Sequence, residues 1–534
     1  MPMPATDALL NDAPFVDEIC VEDRVSMKQT PSRPAAPKGS RPDMKAARAS
    51  AESWPAAFMY ERMLAKDSSY DGRFLTGVLT TGIYCLPSCP ARKPKFENVR
   101  FFPTETEAVA AGLRPCRRCR PDLFYRGGDW DRDLFDGLLL RLRADPGAFP
   151  DIARLVDAAG IGATKLNDLI RDHAHQTPAA LLRRERIRAV CDRLLRGNER
   201  LVDIALSAGF EGEATFHRQF LAMTGMTPGA YRALRDADRF RLQLPGSFRP
   251  QDVLSYHGRD PDGPAERIAD DRKLGKALVI DTVPVLLEMT FEPGAVDCRI
   301  TAAKRLGPAA MAEIHRIVCR ILGPGGDVAG FEGRAIRMPE IARLIQGQRG
   351  LRIPLTATPF EALAWAVIGQ QINVAFATSL RRTLIELCGD PIGDARGMKA
   401  HPTAATVAAL DPADLTQRRF SRAKADYLIN MARLVTSDDL PLDRLADGSA
   451  KAAETILRGI RGLGPWTTNY MLMRGLGFAD AVPVGDSALA TALQRFHRLE
   501  TRPDAKETAR LMAPFAPHRS LATCHFWANL KIAA

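Results

Sequence analysis

Ten cysteines are spread along the 534 residues, and four of them stand in two close pairs. Cys85 and Cys89 lie in TGIYCLPSCPARK, Cys116 and Cys119 in RPCRRCRPD. Two such pairs, separated by a spacer of about 26 residues, can close a tetrahedral four-thiolate zinc site. A disulfide staple, and a thiol that itself reacts, are the other chemistries open to these residues. The chain carries no secretory leader and no apolar run long enough to span a bilayer, so it reads as a soluble cytoplasmic protein without a membrane partner. In that reducing compartment closely spaced cysteines bind metal more readily than they pair. One Zn²⁺ is therefore expected on the four sulfurs. The other six cysteines (Cys20, Cys191, Cys298, Cys319, Cys388 and Cys524) stand singly and read as small buried residues.

A second stretch, LRGIRGLGPWTTNYMLMRGLGFADAVPVGDSALATALQRF, places Gly462-Leu463-Gly464 between two helical patterns. Such a turn makes a tight hairpin whose backbone N–H groups, at the start of the following helix, can hold a DNA phosphate. Asp486 follows further along. A third signal is an internal echo: Ala159-Gly160 recurs as Ala208-Gly209, and Thr177-Pro178 as Thr227-Pro228. Each copy reads as a helix, a glycine turn and a second amphipathic helix, a pair of helix-turn-helix units.

These residues need several scaffolds, and 534 residues are too many for one core. Residues 1–50 mix Pro, Ala, Ser and Lys without periodicity and read as a disordered leader. The expected architecture is multidomain and mainly α. A small zinc-bound α+β domain spans 51–127, with RFLTGVLTTGIYC as a hairpin entering the first cysteine. Paired helix-turn-helix units span 128–237, a small β-rich α+β domain 238–325, and an all-helical domain 326–534. The formal charge of +11 favours a polyanionic partner, double-stranded DNA before any other.

The first stretch, TGIYCLPSCPARK followed by AAGLRPCRRC, resembles the amino-terminal domain of Ada-type DNA repair regulators. The resemblance implies that zinc-bound Cys85 accepts a methyl group from a DNA methylphosphotriester, with Cys89, Cys116 and Cys119 as companion ligands. Four thiolates on Zn²⁺ carry a net charge of −2, which keeps the sulfurs deprotonated and nucleophilic. Methylation lowers that charge to −1 and weakens repulsion from DNA, a switch in itself. Arg92 and Lys93, shortly after the first pair, are assigned to DNA contact. A purely structural zinc remains the alternative.

LVDIALSAGFEGEATFHRQFLAMTGMTPGAYR is similar to the AraC-type activator module. Leu201, Ile204, Ala205, Ala208, Phe210, Phe216, Phe220 and Tyr231 are then core, and Thr215, His217 and Arg218 face the major groove. In the upstream copy, Lys165, Asn167 and Arg171 take that place. LLRRERIRAVCDRLLR suits either phosphate contacts or a solvated linker helix. An activator of this type would engage RNA polymerase.

The region from about 240 to 534 resembles the helix-hairpin-helix glycosylase superfamily, the AlkA-type 3-methyladenine enzymes in particular. The resemblance makes Asp486 catalytic, places Trp466 and Trp527, with Tyr470, around an extruded cationic base, and sets Gly462 and Gly464 on the DNA backbone. Relatives that also cleave the strand carry lysine where Trp466 stands, so a monofunctional hydrolase without a cofactor is implied. Gln371, with Ile372 beside it, occupies the position of that family's leucine wedge. A guanine-alkyltransferase motif Pro-Cys-His-Arg is absent from the sequence. The competing reading is a methylation-sensing activator whose carboxy-terminal domain only binds DNA. Asp486 with Trp466 and Trp527 separates the two, because DNA binding alone needs neither a pocket acid nor paired indoles.

Overall fold

The computed structural model describes residues 54–125, 129–323, 327–394 and 396–532; the leader expected at 1–50 lies outside them. The first unit is a four-stranded sheet in the order β3-β1-β2-β4, with β1 Leu75–Val78, β2 Ile83–Cys85, β3 Val99–Phe102 and β4 Arg114–Pro115. The β1–β2 hairpin is the one expected to enter Cys85, with Thr76 opposite that residue. Leu75, Tyr84, Phe102, Ala108 and Leu113 form a very small core, the kind that relies on a metal staple.

The helix-turn-helix region follows as α1 (Trp130–Ala144), α2 (Ile152–Ala159), α3 (Ala163–Ala174), α4 (Pro178–Arg196), α5 (Leu201–Ser207), α6 (Glu213–Thr224) and α7 (Pro228–Ala233). The repeated Thr-Pro has a mechanical cause. Thr177 and Thr227 each accept a backbone N–H three residues on, Ala180 at 3.2 Å and Ala230 at 3.3 Å. The proline then takes the first helical position, where its missing N–H costs nothing. The repeated glycines, Gly160 and Gly209, hold φ of 64° and 86°, which only glycine adopts freely.

A five-stranded antiparallel sheet comes next, in the order β5-β9-β8-β7-β6: β5 Arg239–Gln243, β6 Glu266–Ala269, β7 Lys273–Ile280, β8 Val283–Glu292 and β9 Ala295–Ala302. Strand β8 alternates strictly between buried and half-buried residues up to its last position, and α8 (Pro308–Leu322) covers the buried face. The cores do not follow the linear order of the units. Leu181 and Leu182 at the start of α4 pack with the first helix-turn-helix. Ile187, Val190 and Leu194 further along it join Phe216, Phe220, Phe240, Leu287 and Ile314 in one cluster. The second helix-turn-helix and the β-rich unit thus share a hydrophobic core, stitched by His315 Nε2 to the Thr224 carbonyl at 2.8 Å.

The remaining residues are helical apart from short connections. Among these helices are α9 (Pro359–Ile368), α10 (Val374–Cys388), α11 (Arg422–Thr436), α12 (Ala450–Gly459), α13 (Pro465–Tyr470), α14 (Ser487–His497) and α15 (Arg519–Ile532). They divide into two clusters, one around α9, α11 and α12 and one where residues 328–351 pack with α14 and α15. A buried quartet joins the sheet to the helices: Lys276 and Arg381 each pair with both Glu266 and Glu361. Two cations and two carboxylates cancel in charge, which is what permits their burial. Among the described residues no helix is long and apolar enough to cross a membrane.

Candidate functional sites

Parallel pairing of β2 with β4 brings the two cysteine pairs together. Tyr84 lies opposite Pro115, and the Cys116 N–H donates to the Tyr84 carbonyl at 2.9 Å, so Cys85 and Cys116 emerge side by side from adjacent strand ends. All four sulfurs lie within 4.8 Å of one another, the one such ligand cluster among the described residues. Cys89 and Cys116 Sγ are 3.9 Å apart, far beyond an S–S bond and close to the edge of about 3.8 Å that Zn–S bonds of about 2.3 Å require. Sharing hydrogen bonds with its three neighbours, and then burial, push the Cys85 thiol up; a dication relieves that crowding. The four cysteines fit one Zn²⁺ site.

The sulfurs are not equivalent. Cys119 Sγ accepts the Leu86 N–H at 3.3 Å and Cys116 Sγ the Arg118 N–H at 3.4 Å. Among the described residues no backbone N–H donates to Cys85. Without such a donor its thiolate keeps more electron density than those of Cys116 and Cys119. Asp71 clamps the chelate loop by accepting both the N–H (3.1 Å) and the hydroxyl (2.5 Å) of Ser88. Lys93 turns inward, its ammonium on the Cys89 carbonyl at 2.9 Å and the Pro87 carbonyl at 3.3 Å, whereas Arg92 is exposed.

In the helix-turn-helix units the expected core residues are buried, with Leu201 partly so. On α6, Arg218 is exposed, Thr215 is half-buried, and half-buried His217 sits 3.6 Å from Glu213. On α3, Arg171 is exposed, but Lys165 is held by Asp131 at 2.8 Å and lies over the Trp130 ring. Much of the arginine content of α4 is spent on protein. Arg184 pairs with Glu185, Arg186 donates to the Phe149 and Pro150 carbonyls, Arg188 pairs with Asp447, and Arg193 with Glu199.

The third site forms where α13, α14 and α15 converge. Asp486 is the N-cap of α14: its Oδ1 accepts the Leu489 N–H at 2.7 Å and the Trp527 indole N–H at 3.0 Å. Its Oδ2 accepts the Trp466 indole N–H at 3.1 Å. Tyr470 stacks on Trp466, ring centres 5.5 Å apart and 28° from parallel. All four residues singled out in the sequence thus share one half-buried site. Residues not singled out complete it. The Arg474 guanidinium lies 5.6 Å from the Trp527 ring and 4.5 Å from the ring of Tyr256, which arrives from the β-rich unit. Arg259 is sandwiched between Tyr256 and Trp365 at 4.6 and 4.0 Å. Arg474 could have been found by its helical spacing from Tyr470; Tyr256 had no local signal.

The hairpin residues stand beside this site. Gly462 has φ of 97° and packs so tightly on Tyr427 that a Cβ would meet the ring at 2.8 Å, while Gly464 faces open space. Gln370 ties the hairpin to the loop before α10, donating to the Gly462 carbonyl at 2.8 Å and to Thr467 Oγ1 at 3.0 Å. Gln371 is exposed at the tip of that loop with φ of 57°, and Ile372 packs partly against the core.

Three family models match the chain: the metal binding domain of Ada over residues 58–122, a helix-turn-helix domain over 155–234, and the HhH-GPD superfamily base excision DNA repair protein over 364–517. The "probable bifunctional transcriptional activator/DNA repair enzyme AlkA" of Mycobacterium tuberculosis is 28% identical over 88% of this chain and 96% of its own. A Bacillus subtilis DNA-3-methyladenine glycosylase is 38% identical over 36% of this chain and 62% of its own. The "bifunctional transcriptional activator/DNA repair enzyme Ada" of Escherichia coli is 32% identical over 32% of this chain and 48% of its own. The chain is thus a fusion of the Ada–AlkA type, with an Ada-type metal-binding domain, a helix-turn-helix domain and an HhH-GPD base-excision repair domain on one polypeptide.

Proposed function

We propose that this protein repairs alkylated DNA by two chemistries and couples one of them to transcription activation. Its partner is double-stranded DNA, both damaged and promoter. The observation that carries the glycosylase half is Asp486, whose carboxylate is fixed by two indole N–H groups and a backbone N–H at an aromatic site. Trp466 and Trp527, with Tyr470, would receive an alkylated purine flipped from the duplex, 3-methyladenine foremost, since aromatic faces attract a cationic ring. As the N-glycosidic bond breaks, its electron pair leaves with the base, which becomes neutral. The Asp486 carboxylate stabilises the positive charge left on the sugar, and water then bonds to the anomeric carbon and yields its proton to solvent. No lysine stands at Trp466, so the reaction ends at the abasic site as in a monofunctional glycosylase of the second 3-methyladenine type. Gly462 and Gly464 would grip the backbone, and Gln371 with Ile372 would fill the gap.

In the amino-terminal half Cys85 is the acceptor, used once per molecule. Bound zinc would keep the four sulfurs as thiolates. Cys85 Sγ attacks the methyl carbon of a methylphosphotriester, the carbon–oxygen bond breaks, and the phosphate leaves as an anionic diester. Arg92 and Lys93 border this centre. Thr215, His217 and Arg218, with Lys165 and Arg171, are the candidate reading residues, and an activator built on them would work through RNA polymerase in the cytoplasm. One incubation with methylated duplex DNA tests both halves. Freed purines should include 3-methyladenine, and the peptide bearing Cys85 should be heavier by one methyl group. Neither product from a folded, DNA-bound protein would leave only a DNA-binding regulator.

A further inference from the structure

The first helix-turn-helix is not free in this molecule. The carboxy-terminal end of α3 is seated on the glycosylase domain through contacts that neither chemistry uses. His173 is fully buried, stacked on Phe135 of α1 with ring centres 5.0 Å apart, and its Nδ1 lies 2.7 Å from Ser449 Oγ. Ser449 is the N-cap of α12, the first helix of the DNA-binding hairpin, and its oxygen already accepts the Ala452 N–H at 3.1 Å. The serine oxygen thus caps α12 and shares a hydrogen bond with the His173 ring at once. Around this contact Asp172 pairs with Lys451 at 2.7 Å. Asp447 binds from two sides, its carbonyl accepting from Arg143 at 2.5 Å and its carboxylate pairing with Arg188 at 2.9 Å.

A second arm reaches the catalytic loop. His175, at the left-handed end of α3, accepts the Asp480 N–H on Nδ1 at 3.1 Å and presents its ring edge to Phe478. Asp480 in turn takes two hydrogen bonds from the Arg519 guanidinium, at 2.8 and 2.7 Å, where α15 begins. Helix α15 carries Trp527, and the segment from Phe478 runs directly into Asp486. One face of the helix-turn-helix thus touches both the start of the hairpin and the loop that aims the carboxylate.

We infer that the first helix-turn-helix is a docking module whose partner is the glycosylase domain of its own chain, and that it positions the Phe478–Asp486 loop for base release. The inference rests on the glycosylase reading above. Its contacts are polar and charge-paired, as in interfaces that form between separately folded units. While the module is docked, DNA engaged by α3 stands in one relation to the hairpin.

Three full-length variants test this. His175→Gly removes the loop contact and suits the positive φ of that position, so α3 keeps its cap. Asp447→Arg sets a third guanidinium against Arg143 and Arg188, and adding Arg188→Asp restores a pair. Hydrogen exchange of residues 478–486 should quicken in both single variants, and kcat for base release should fall several-fold with KM for damaged DNA little changed. The double variant should recover both, and methyl transfer to Cys85 serves as a control that does not move. Unchanged exchange and kcat in His175→Gly would overturn the docking role, as would faster exchange with undiminished release. Faster exchange in a chain whose wild type releases no base would instead sink the glycosylase reading and leave the docking contact standing.

Discussion

At Asp486 three donors converge on one carboxylate, and two of them are indoles that also line the site. Trp466 and Trp527 therefore have two separable duties, a face for the base and an N–H for the acid. Trp527→Phe keeps an aromatic face and deletes one hydrogen bond to a charged group, worth about 1.5–3 kcal/mol when fully expressed. Base-release kinetics should show kcat reduced by roughly tenfold or more with a smaller change in KM. At the zinc centre, Cys116 and Cys119 each accept a backbone N–H and, among the described residues, Cys85 accepts none, so Cys85→Ala should abolish methyl transfer from phosphotriesters, read by mass spectrometry of the intact chain. Undiminished transfer would point to another thiol. The residues that reveal themselves by type and spacing, the four cysteines and the Gly-Leu-Gly turn, were legible in the sequence. Asp486 and the tryptophans were legible only through resemblance. Tyr256 and Arg259 were not legible at all, because their approach to Trp365 and Arg474 is set by packing between units far apart in the chain.

The hairpin between α12 and α13 shows how an element holds such residues. Gly462 combines a φ of 97° with a close approach to Tyr427, so any Cβ meets both backbone strain and the ring. Gly462→Ala should cost about 1–3 kcal/mol of stability, measured by denaturant unfolding, and should weaken binding to undamaged duplex along with base release. Gly464, with open space around it, should tolerate alanine far better. The repeated Ala-Gly and Thr-Pro were readable because each encodes a local event, a left-handed turn or a capped helix start. The fate of the α4 arginines was not. Charge count alone fits phosphate contacts, and only the fold shows Arg186 on the Phe149 carbonyl or Arg188 on Asp447.

Across the whole molecule, length, periodicity and charge pointed to a multidomain, mainly helical chain with a polyanionic partner, but not to a core shared by the second helix-turn-helix and the β-rich unit. A shared core is invisible to a linear reading, since α4 contributes one end to each of two clusters with no break in its helical pattern. Histidines buried across these units also set a pH limit. Burial lowers His257 to about 3, His315 to about 4 and His525 to about 3, against 6.5 in an unfolded chain. Below pH 6.5 the unfolded chain takes up protons that the folded chain refuses. Stability should therefore be fullest above that pH and decline as pH falls toward 4, by up to about 1.4 kcal/mol per pH unit for each histidine. Thermal unfolding between pH 7 and pH 5 checks the sign: a midpoint that rises on acidification would contradict it. Chromatography of purines freed from methylated duplex by wild type and by Asp486→Asn decides whether this chain excises alkylated bases through the Asp486 carboxylate. The wild type should release 3-methyladenine and the variant should lose about 100-fold or more of that rate, with damaged-DNA binding retained. Release by the variant at the wild-type rate, or by neither protein, would contradict this expectation.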